Sequence, residues 1–285
     1  MGDSSLQQFA PATRTWFEAT FESPTLPQTL GWPAIASGAH TLIHAPTGSG
    51  KTLAAFLWTL DRLCHEPLPP TGGRCRLLYI SPLKALAYDI ERNLRAPLAG
   101  IRHAAARIGA EPPPALTTFM RTGDTPASDR QKMLRRPPDI LITTPESLYL
   151  MLTSAARERL APVRWVIVDE VHAVAGTKRG AHLAVSLERL EEITDNPPQR
   201  IGLSATQRPL ETIARYLGGG TAEHPEAPHQ PRPVTIVDAD HRRPLELELV
   251  VPSRDMTQPE PVDPDEETRT RSIWPSIYRR LLDLV

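Results

Sequence analysis

Short apolar runs alternate with helix-like segments along most of this chain, from about residue 41 to residue 217. Each apolar run is brief, and each is followed by a turn rich in Gly, Pro, Ser or Thr. The runs predicted to form strands are Thr41–His44, Arg76–Ile80, Leu116–Met120, Ile140–Thr143, Trp165–Val168 and Ile201–Leu203. Alternation of this kind indicates βαβ crossovers. We therefore predict an α/β fold with a mainly parallel sheet and with helices on both of its faces.

The pattern changes after the three glycines at residues 218–220. Residues 221–234 are rich in Pro and His, which is typical of a loop or linker. Pro244–Val251 alternates apolar and polar positions and is predicted to form a half-exposed strand. Residues 256–267 are polar and acidic, which favours a flexible segment. The residues from Ile273 onward predict one more helix.

Composition and charge exclude only a few classes of protein. A chain of 285 residues can hold one large α/β domain or two small ones. The net charge of −1 gives no global signature of nucleic-acid binding, so any such binding has to depend on local groups. The two cysteines, Cys64 and Cys75, lack the spacing of a zinc site or a disulfide framework. No leader and no long apolar run appears, which predicts a soluble, cytoplasmic protein without a membrane partner.

A glycine-rich string with a lysine follows the first predicted strand. Its residues are Ala45, Pro46, Thr47, Gly48, Ser49, Gly50, Lys51 and Thr52. A turn of this composition that opens a helix offers backbone N–H groups and a positive dipole end to a polyphosphate. Lys51 can reach the β- and γ-phosphates, and the Thr52 hydroxyl can bind Mg²⁺. The sequence therefore predicts an ATP-binding loop that works with Mg²⁺.

Two carboxylates, Asp169 and Glu170, come directly after the uncharged strand Trp165–Val168. An isolated Asp-Glu pair at this position is more often an ordinary helix cap. With a phosphate-binding loop upstream, the pair is predicted to complete a site for nucleotide hydrolysis. Asp169 is then placed to hold Mg²⁺ through water, and Glu170 to orient or deprotonate the attacking water. Lys51, Asp169 and Glu170 are the candidate catalytic residues.

Two short segments near these motifs carry weaker signals. The Gln28 side chain has a donor and an acceptor and can bind the N6 and N7 edge of adenine, while Phe21 can stack on the ring. The alternative for Gln28 is a surface position in a Pro-rich turn. The hydroxyls of Ser204 and Thr206 can couple the γ-phosphate site to the movement of a neighbouring domain. The alternative for them is a cap or a turn.

Three further strand ends share one design, in which Ser, Thr or Gly lies at or near a helix N-terminus. Hydroxyls and free amides at such positions can hold the phosphates of a nucleic-acid backbone. The candidate residues are Ser81, Pro82, Lys84, Arg121, Gly123, Thr144, Pro145 and Glu146. Helix capping is the alternative for each turn alone, and their agreement in position favours nucleic acid. The basic pair Lys178 and Arg179 is interpreted as part of a solvated loop.

In their order, these segments resemble a superfamily 2 helicase core over about residues 20–210. The Gln28 segment resembles the adenine-binding Q motif, and the strings APTGSGKT, DEVH and SAT resemble motifs I, II and III. The strings RTGDTP and ITTPESL resemble most closely the large helicase-related (Lhr) family. The resemblance implies a RecA-like P-loop NTPase fold. It also implies an ATP-dependent motor that moves 3′ to 5′ on single-stranded DNA, separates duplexes including DNA–RNA hybrids, and acts in DNA repair.

The resemblance also implies a division into lobes. A helicase core has two RecA-like lobes, and the second supplies an arginine finger to the ATP held between them. By this comparison residues 1–217 form the first lobe, residues 218–272 a linker with one or two peripheral strands, and residues 273–285 the start of a truncated second lobe. We therefore hypothesise that the chain is a fragment or truncated reading frame of a longer helicase, with weak or no activity alone.

Two alternatives remain open at this point. The lobe can be a module that binds ATP or nucleic acid without catalysis. It can also be part of an RNA helicase, since contacts to phosphates do not distinguish DNA from RNA unless the 2′-OH is recognised.

Overall fold

The computed structural model describes residues 4–205, 208–221, 230–240 and 274–282. The chain divides into two compact units, Met1–His241 and Arg242–Val285. In the second unit the described residues form one helix, α10 (Trp274–Leu282), where the sequence predicts a helix. The strand predicted at Pro244–Val251 and the flexible segment predicted at 256–267 lie outside the described residues.

The first unit alternates helices and strands along the chain. Its helices are α1 (Pro11–Thr20), α2 (Leu26–Ala36), α3 (Lys51–His65), α4 (Lys84–Arg107), α5 (Ala127–Arg135), α6 (Pro145–Leu152), α7 (Val171–Ala175), α8 (Lys178–Ile193) and α9 (Leu210–Gly218). Its strands are β1 (His40–His44), β2 (Leu77–Ile80), β3 (Thr118–Arg121), β4 (Ile140–Thr143), β5 (Trp165–Val168), β6 (Gln199–Ser204), β7 (Gly220–Thr221), β8 (Gln230–Pro231) and β9 (Val234–Asp238). Within the described part of the chain, no helix is long and apolar enough to cross a bilayer.

Seven of these strands form one parallel sheet in the order β3-β4-β2-β5-β6-β1-β9. Each of the six strands predicted between residues 41 and 203 is present, with ends that move by a few residues at most. The α/β fold class is thereby confirmed. The sequence did not indicate β9 as a member of this sheet, yet β9 pairs with β1 in register. The compact unit accordingly extends to His241, beyond the predicted end at residue 217.

Alternate residues of the central strands enter two separate hydrophobic cores. In β2, Leu77 and Tyr79 face one core, which also contains Phe56 of α3. Leu78 and Ile80 face the other, which contains Leu187 of α8. Side chains of a strand point alternately to its two faces, so a sheet covered by helices on both faces requires apolar residues at every position. This requirement explains why the strands appear in the sequence as uninterrupted apolar runs.

An aromatic cluster anchors the N-terminal helices against the sheet domain. Trp32 of α2 is fully buried, with Phe9 and Phe17 in edge-to-face contact at centroid distances of 4.8 and 5.4 Å. Trp16 of α1 packs so closely on α4 that a Cβ at Gly100 would lie 2.1 Å from its indole nitrogen. These contacts fix α1 and α2, and with them the turn between these helices that borders the functional site.

Candidate functional site

The carboxyl ends of the parallel strands meet at one edge of the sheet, beside a cavity of about 660 Å³. Residues from the glycine-rich loop, from the end of β5 and from the turn between α1 and α2 line it. The lining residues among those predicted for the nucleotide site are Phe21, Gln28, Thr47, Gly48, Gly50, Lys51, Thr52, Asp169 and Glu170. Three predicted loop residues, Ala45, Pro46 and Ser49, do not line the cavity.

The backbone of the glycine-rich loop needs glycine at two positions. Gly48 and Gly50 have φ of 79° and 85°, in the left-handed region that side chains with a Cβ rarely adopt. A Cβ at Gly50 would also lie 2.8 Å from Nε2 of Gln28 and 3.0 Å from Oγ1 of Thr25. The loop starts at Ala45, whose N–H donates to the carbonyl of Ser204 at 3.0 Å. Helix α3 begins directly after Gly50, so its free N–H groups point towards the cavity.

Lys51 is the one cation among the described residues that line the cavity, and its side chain is only 5% exposed. Within the described residues no carboxylate pairs with it. Burying a cation without a partner is costly, so the site is arranged for an anion that comes from outside the protein. The first turn of α3 adds its positive dipole end at the same place. Both features suit a polyphosphate.

Asp169 is held by two donors at the end of β5. The backbone N–H of Glu170 donates to its Oδ1 at 2.9 Å, and the hydroxyl of Tyr79 donates to its Oδ2. Burial raises the pKa of the Tyr79 phenol far above its usual range, and the charge of Asp169 raises it further. The hydroxyl therefore remains a donor. Sequence analysis missed Tyr79, because it lies inside an apolar run.

Glu170 lies at the turn from β5 into α7 with φ 46° and ψ 43°. This left-handed conformation is uncommon for a residue with a side chain, and Glu170 lines the cavity. His172 lies beside it, with Nδ1 at 3.4 Å from Oε2 of Glu170. The same Nδ1 accepts the N–H of Ala205 at 3.3 Å, which joins the β5 turn to the β6 turn.

The donor set fits a magnesium ion. Mg²⁺ prefers oxygen ligands and is usually held in nucleotide sites by one or two protein groups, phosphate oxygens and water. Asp169 and Thr52 line the same cavity as Lys51. Among the described residues no cluster of three or more His, Cys, Asp or Glu side chains forms a metal site by itself. Thr52 and Asp169 are thus suited to a cation that arrives with a polyphosphate.

Gln28 is already hydrogen bonded inside the protein. Its Oε1 accepts the N–H of Thr25 at 3.0 Å, completing a capping box at the start of α2, and its Nε2 donates to the carbonyl of Gly50 at 3.4 Å. The side chain is 3% exposed and still borders the cavity, next to the half-exposed ring of Phe21. Gln28 therefore also ties α2 to the glycine-rich loop, a role that sequence analysis missed.

Ser204 is fully buried at the end of β6, and Thr206 lies outside the described residues. Three further polar side chains, His44, Arg208 and Asp238, are hydrogen bonded to one another at the ends of β1 and β9. Asp238 of β9 accepts hydrogen bonds from Nδ1 of His44 and from Arg208, each at 3.0 Å. The hydrogen bond from His44 is the main cause that lowers the pKa of Asp238. Sequence analysis had no signal for this cluster, since β9 was not recognised as part of the sheet.

The turn before α4 differs from its prediction. The Ser81 side chain is fully buried, and its hydroxyl donates to the carbonyl of Leu83 at 3.0 Å. The Ser81 hydroxyl is used to shape the turn and is not accessible to a phosphate. The predicted direct contact of Ser81 with nucleic acid is therefore wrong. Pro82 is buried as well. Lys84 is exposed at the start of α4 and pairs with Asp124 at 2.7 Å.

Two arginines, Arg121 and Arg130, lie at the turn after β3. The side chain of Arg121 is 9% exposed, and its Nη1 is buried without a hydrogen-bond partner in the described part of the chain. Burial, and then the charge of Arg130, lowers the pKa of Arg121. Arg130 donates to the carbonyls of Gly123 and Thr125, each at 2.8 Å, and fixes the turn with Gly123 exposed. Sequence analysis missed Arg130, which lies in a polar helix without a motif.

The turn before α6 is mostly buried. Thr144 is 3% exposed, with its hydroxyl donating to Ser147 at 3.2 Å, and Pro145 is buried. Glu146 is exposed and forms a bidentate ion pair with Arg179, whose hydrogen bonds lower the pKa of Glu146. Arg179 belongs to the first turn of α8, so the interpretation of Lys178 and Arg179 as a solvated loop is wrong. Within this turn the accessible polar group is the Glu146–Arg179 pair.

Comparison with protein families identifies a match over most of the first unit. The model of the family described as DEAD/DEAH box helicase matches residues 25–213. This range contains the glycine-rich loop, the carboxylates after β5 and the three turns predicted to contact nucleic acid. The resemblance to helicases drawn from the sequence is confirmed.

Curated relatives and a solved structure resemble the chain along nearly its whole length. The Lhr helicase/probable uracil glycosylase of Mycolicibacterium smegmatis is 52% identical over 284 residues, covering 100% of this chain and 17% of that protein. The Lhr helicase/uracil glycosylase of Escherichia coli K12 is 50% identical, covering 97% of this chain and 18% of that protein. The structure of Mycobacterium smegmatis helicase Lhr bound to ssDNA and AMP-PNP has a TM-score of 0.76 at 52% identity, covering 98% of this chain and 33% of that one. The chain thus spans less than a fifth of these curated relatives.

Proposed function

The chain belongs to the DEAD/DEAH box helicase family, and from that premise we propose that its first unit is an ATP-binding lobe that couples ATP hydrolysis to movement on nucleic acid. The observation that carries the proposal is the convergence of Lys51, Asp169 and Glu170 on one cavity. The residues come from different turns of the sequence, and the parallel sheet brings them to one edge. A helix N-terminus, a cation and two carboxylates that line the same cavity suit the hydrolysis of a nucleoside triphosphate.

In this function each side chain has a separate task. Lys51 binds the β- and γ-phosphate oxygens, and the N–H groups at the start of α3 orient them. Thr52 and Asp169 would hold Mg²⁺, which when bound neutralises developing negative charge. Glu170 takes the proton of the attacking water, or orients that water, at the mouth of the cavity. His172 accepts the N–H of Ala205 and so lies between Glu170 and the turn after β6.

The cavity contains too little positive charge for fast turnover. Lys51 is the one cation among its described lining residues, whereas the lining carboxylates include Asp89, Asp169 and Glu170. A stabilising arginine contributes roughly 10³–10⁵ in rate in phosphoryl-transfer enzymes of this kind. We therefore propose that a second RecA-like lobe supplies the missing cation in the working motor. Residues 1–285 alone should bind ATP and hydrolyse it slowly.

Single-stranded DNA is the proposed track. A relative that is 52% identical has been solved with ssDNA and AMP-PNP. In this chain the residues that would contact the DNA lie at the three turns on the same edge of the sheet. They are Lys84, Arg121, Gly123 and the Glu146–Arg179 pair. Movement on DNA–RNA hybrids, the 3′ to 5′ direction and a role in DNA repair remain predictions from the family resemblance.

Equilibrium binding to residues 1–285 tests both halves of the proposal. A fluorescent ATP analogue should bind in a Mg²⁺-dependent manner, and labelled single-stranded DNA should bind with an affinity that falls as salt rises. Absence of Mg²⁺-dependent nucleotide binding would overturn the ATPase half. Tighter binding of an RNA strand of matched sequence and length would replace DNA by RNA as the track.

Substitution of Gln28 by Glu tests recognition of adenine. The Glu side chain keeps an oxygen for the N–H of Thr25, so the cap of α2 should persist, but it removes the NH₂ donor. We expect ATP to bind about tenfold more weakly, as for the loss of about one hydrogen bond, with GTP affected less. Competition of ATP and GTP against the fluorescent analogue measures the ratio. An equal loss for both nucleotides would mean that Gln28 serves only the shape of the loop, and Thr25→Ala controls for loss of the cap.

A further inference from the structure

Tyr79 connects two elements of the nucleotide site without contacting the cavity. It lies in the central strand β2, and its side chain is fully buried. Its ring packs on Phe56 of α3, with centroids 5.1 Å apart and planes inclined by 30°. Its hydroxyl donates to Oδ2 of Asp169. Because α3 starts with Lys51, one side chain contacts both the helix of the phosphate-binding loop and the carboxylate of the neighbouring strand.

The strand register explains why Tyr79 can reach this carboxylate. Tyr79 of β2 lies opposite Ile167 of β5 in parallel pairing, and the N–H of Asp169 donates to the carbonyl of Ile80 at 2.9 Å. Side chains two residues apart on a strand share a face. Asp169 comes two residues after Ile167, so its side chain lies on the same face of the sheet as that of Tyr79. The long phenol spans that diagonal, whereas a phenylalanine would lack the hydroxyl.

The two donors leave Asp169 little freedom to rotate. Oδ1 accepts the N–H of Glu170 at 2.9 Å, and Oδ2 accepts the Tyr79 hydroxyl. Each carboxylate oxygen can accept a further bond, and Asp169 borders the cavity with 5% of its surface exposed. A carboxylate fixed in this way does not have to be ordered when a cation binds. Hydrogen bonds from groups behind a metal ligand commonly change metal affinity by 10- to 100-fold.

The geometry points to Tyr79 as the residue that positions the Asp169 carboxylate for the divalent cation of a bound nucleotide. This role rests on the function proposed above. Tyr79 does not line the cavity, so it is a positioning residue that acts through Asp169. It also holds the carboxylate at a fixed place relative to α3, since the same ring packs on Phe56. A divalent cation held by Asp169 would then lie in the cavity that Lys51 also lines.

Substitution of Tyr79 by Phe tests the inference, because it keeps the ring against Phe56 and removes only the hydroxyl. Mg²⁺ is titrated against binding of a fluorescent ATP analogue to residues 1–285. We expect the half-saturating Mg²⁺ concentration to rise about tenfold. Binding of the analogue in EDTA should stay at the wild-type level. Thermal unfolding in EDTA checks that the variant folds, and the further stabilisation by Mg²⁺ with nucleotide, measured as a shift in Tm, gives a second readout that should shrink even in a less stable variant.

Tyr216→Phe is the matched control. The Tyr216 hydroxyl donates to the carbonyl of Gly180 at 2.9 Å, and Tyr216 does not line the cavity. This variant should lose a tyrosine hydrogen bond without changing the Mg²⁺ titration. In an Asp169→Asn background, Tyr79→Phe should cause no further shift. The inference is overturned if wild type and Tyr79→Phe give the same Mg²⁺ titration, or if Tyr216→Phe shifts the titration as much as Tyr79→Phe does. It is also overturned if the shifts caused by Tyr79→Phe and by Asp169→Asn add in the double variant. Wild-type protein without any Mg²⁺-dependent binding would instead overturn the proposed function.

Discussion

Replacement of Glu170 by Gln is expected to lower the rate of ATP hydrolysis by about 10²–10⁴-fold, the usual contribution of a general base. The amide has nearly the shape of the carboxylate, so the left-handed turn at Glu170 and its approach to His172 can persist. It cannot take a proton from water. Nucleotide binding should be retained, because the substitution removes a negative charge from a cavity that receives a polyphosphate. Steady-state phosphate release with and without single-stranded DNA measures the rate, and the fluorescent analogue measures binding.

The matched control is Glu192→Gln, an exposed glutamate on α8. It removes the same charge from the protein and should leave both turnover and binding at the wild-type level. If Glu170→Gln hydrolyses ATP as fast as wild type, another group activates the water and the role proposed for Glu170 fails. If binding is lost together with turnover, Glu170 shapes the site and is not its base.

Replacement of Lys51 by Ala is expected to weaken ATP binding by about 2–5 kcal/mol, or roughly 30- to 4,000-fold in Kd, the usual cost of removing one partner of a buried charge pair. The substitution should not weaken the folding stability of the nucleotide-free protein. Lys51 is buried and pairs with no carboxylate among the described residues, so its removal should leave stability unchanged or raise it. Isothermal titration with Mg²⁺ and ATP, and thermal unfolding without ligand, measure the two quantities.

Lys132→Ala serves as the control, since Lys132 of α5 is 75% exposed and, among the described residues, its ion pair is with the nearby Asp129. It should change neither the Kd for ATP nor the melting temperature by a measurable amount, because exposed pairs contribute little. A Lys51→Ala protein that binds ATP normally would mean that the backbone N–H groups of the loop suffice. A protein that melts well below wild type without ligand would assign Lys51 to folding.

The strands were predictable because of a physical constraint that acts locally. A parallel strand with helices on both faces has to be apolar at successive positions, and β4 and β5 show this as Ile140–Thr143 and Trp165–Val168, with the predicted ends. The short edge strand β9, Val234–Asp238, was missed for the same reason. Among the described strands it has a sheet neighbour on one side only, and Val234, Thr235 and Asp238 are partly or fully exposed, so its pattern does not differ from that of a loop.

The nucleotide motif was predictable because its chemistry is largely local. The glycines that adopt positive φ, the lysine and the hydroxyl lie within a few residues of one another, so their order in the sequence already gives their order in space. The side-chain surroundings of the three turns predicted to contact nucleic acid were less predictable. Their positions at the strand ends were indicated by the sequence, but the burial of Ser81 and Thr144 depends on packing around the turns. The hydroxyls predicted to face phosphates are used inside the protein.

The sequence by itself determined the order of the strands along the chain and the places of the glycine-rich loop and of the two carboxylates at the strand ends. Only the tertiary structure decided which groups hold them in place. Tyr79 and Asp169 are 90 residues apart, and His44 and Asp238 are 194 residues apart. Each pair meets because two strands are neighbours in a particular register, which depends on the free energy of the whole sheet. A local pattern reports the face on which a side chain lies, but the partner that it finds there is set by chain segments far away.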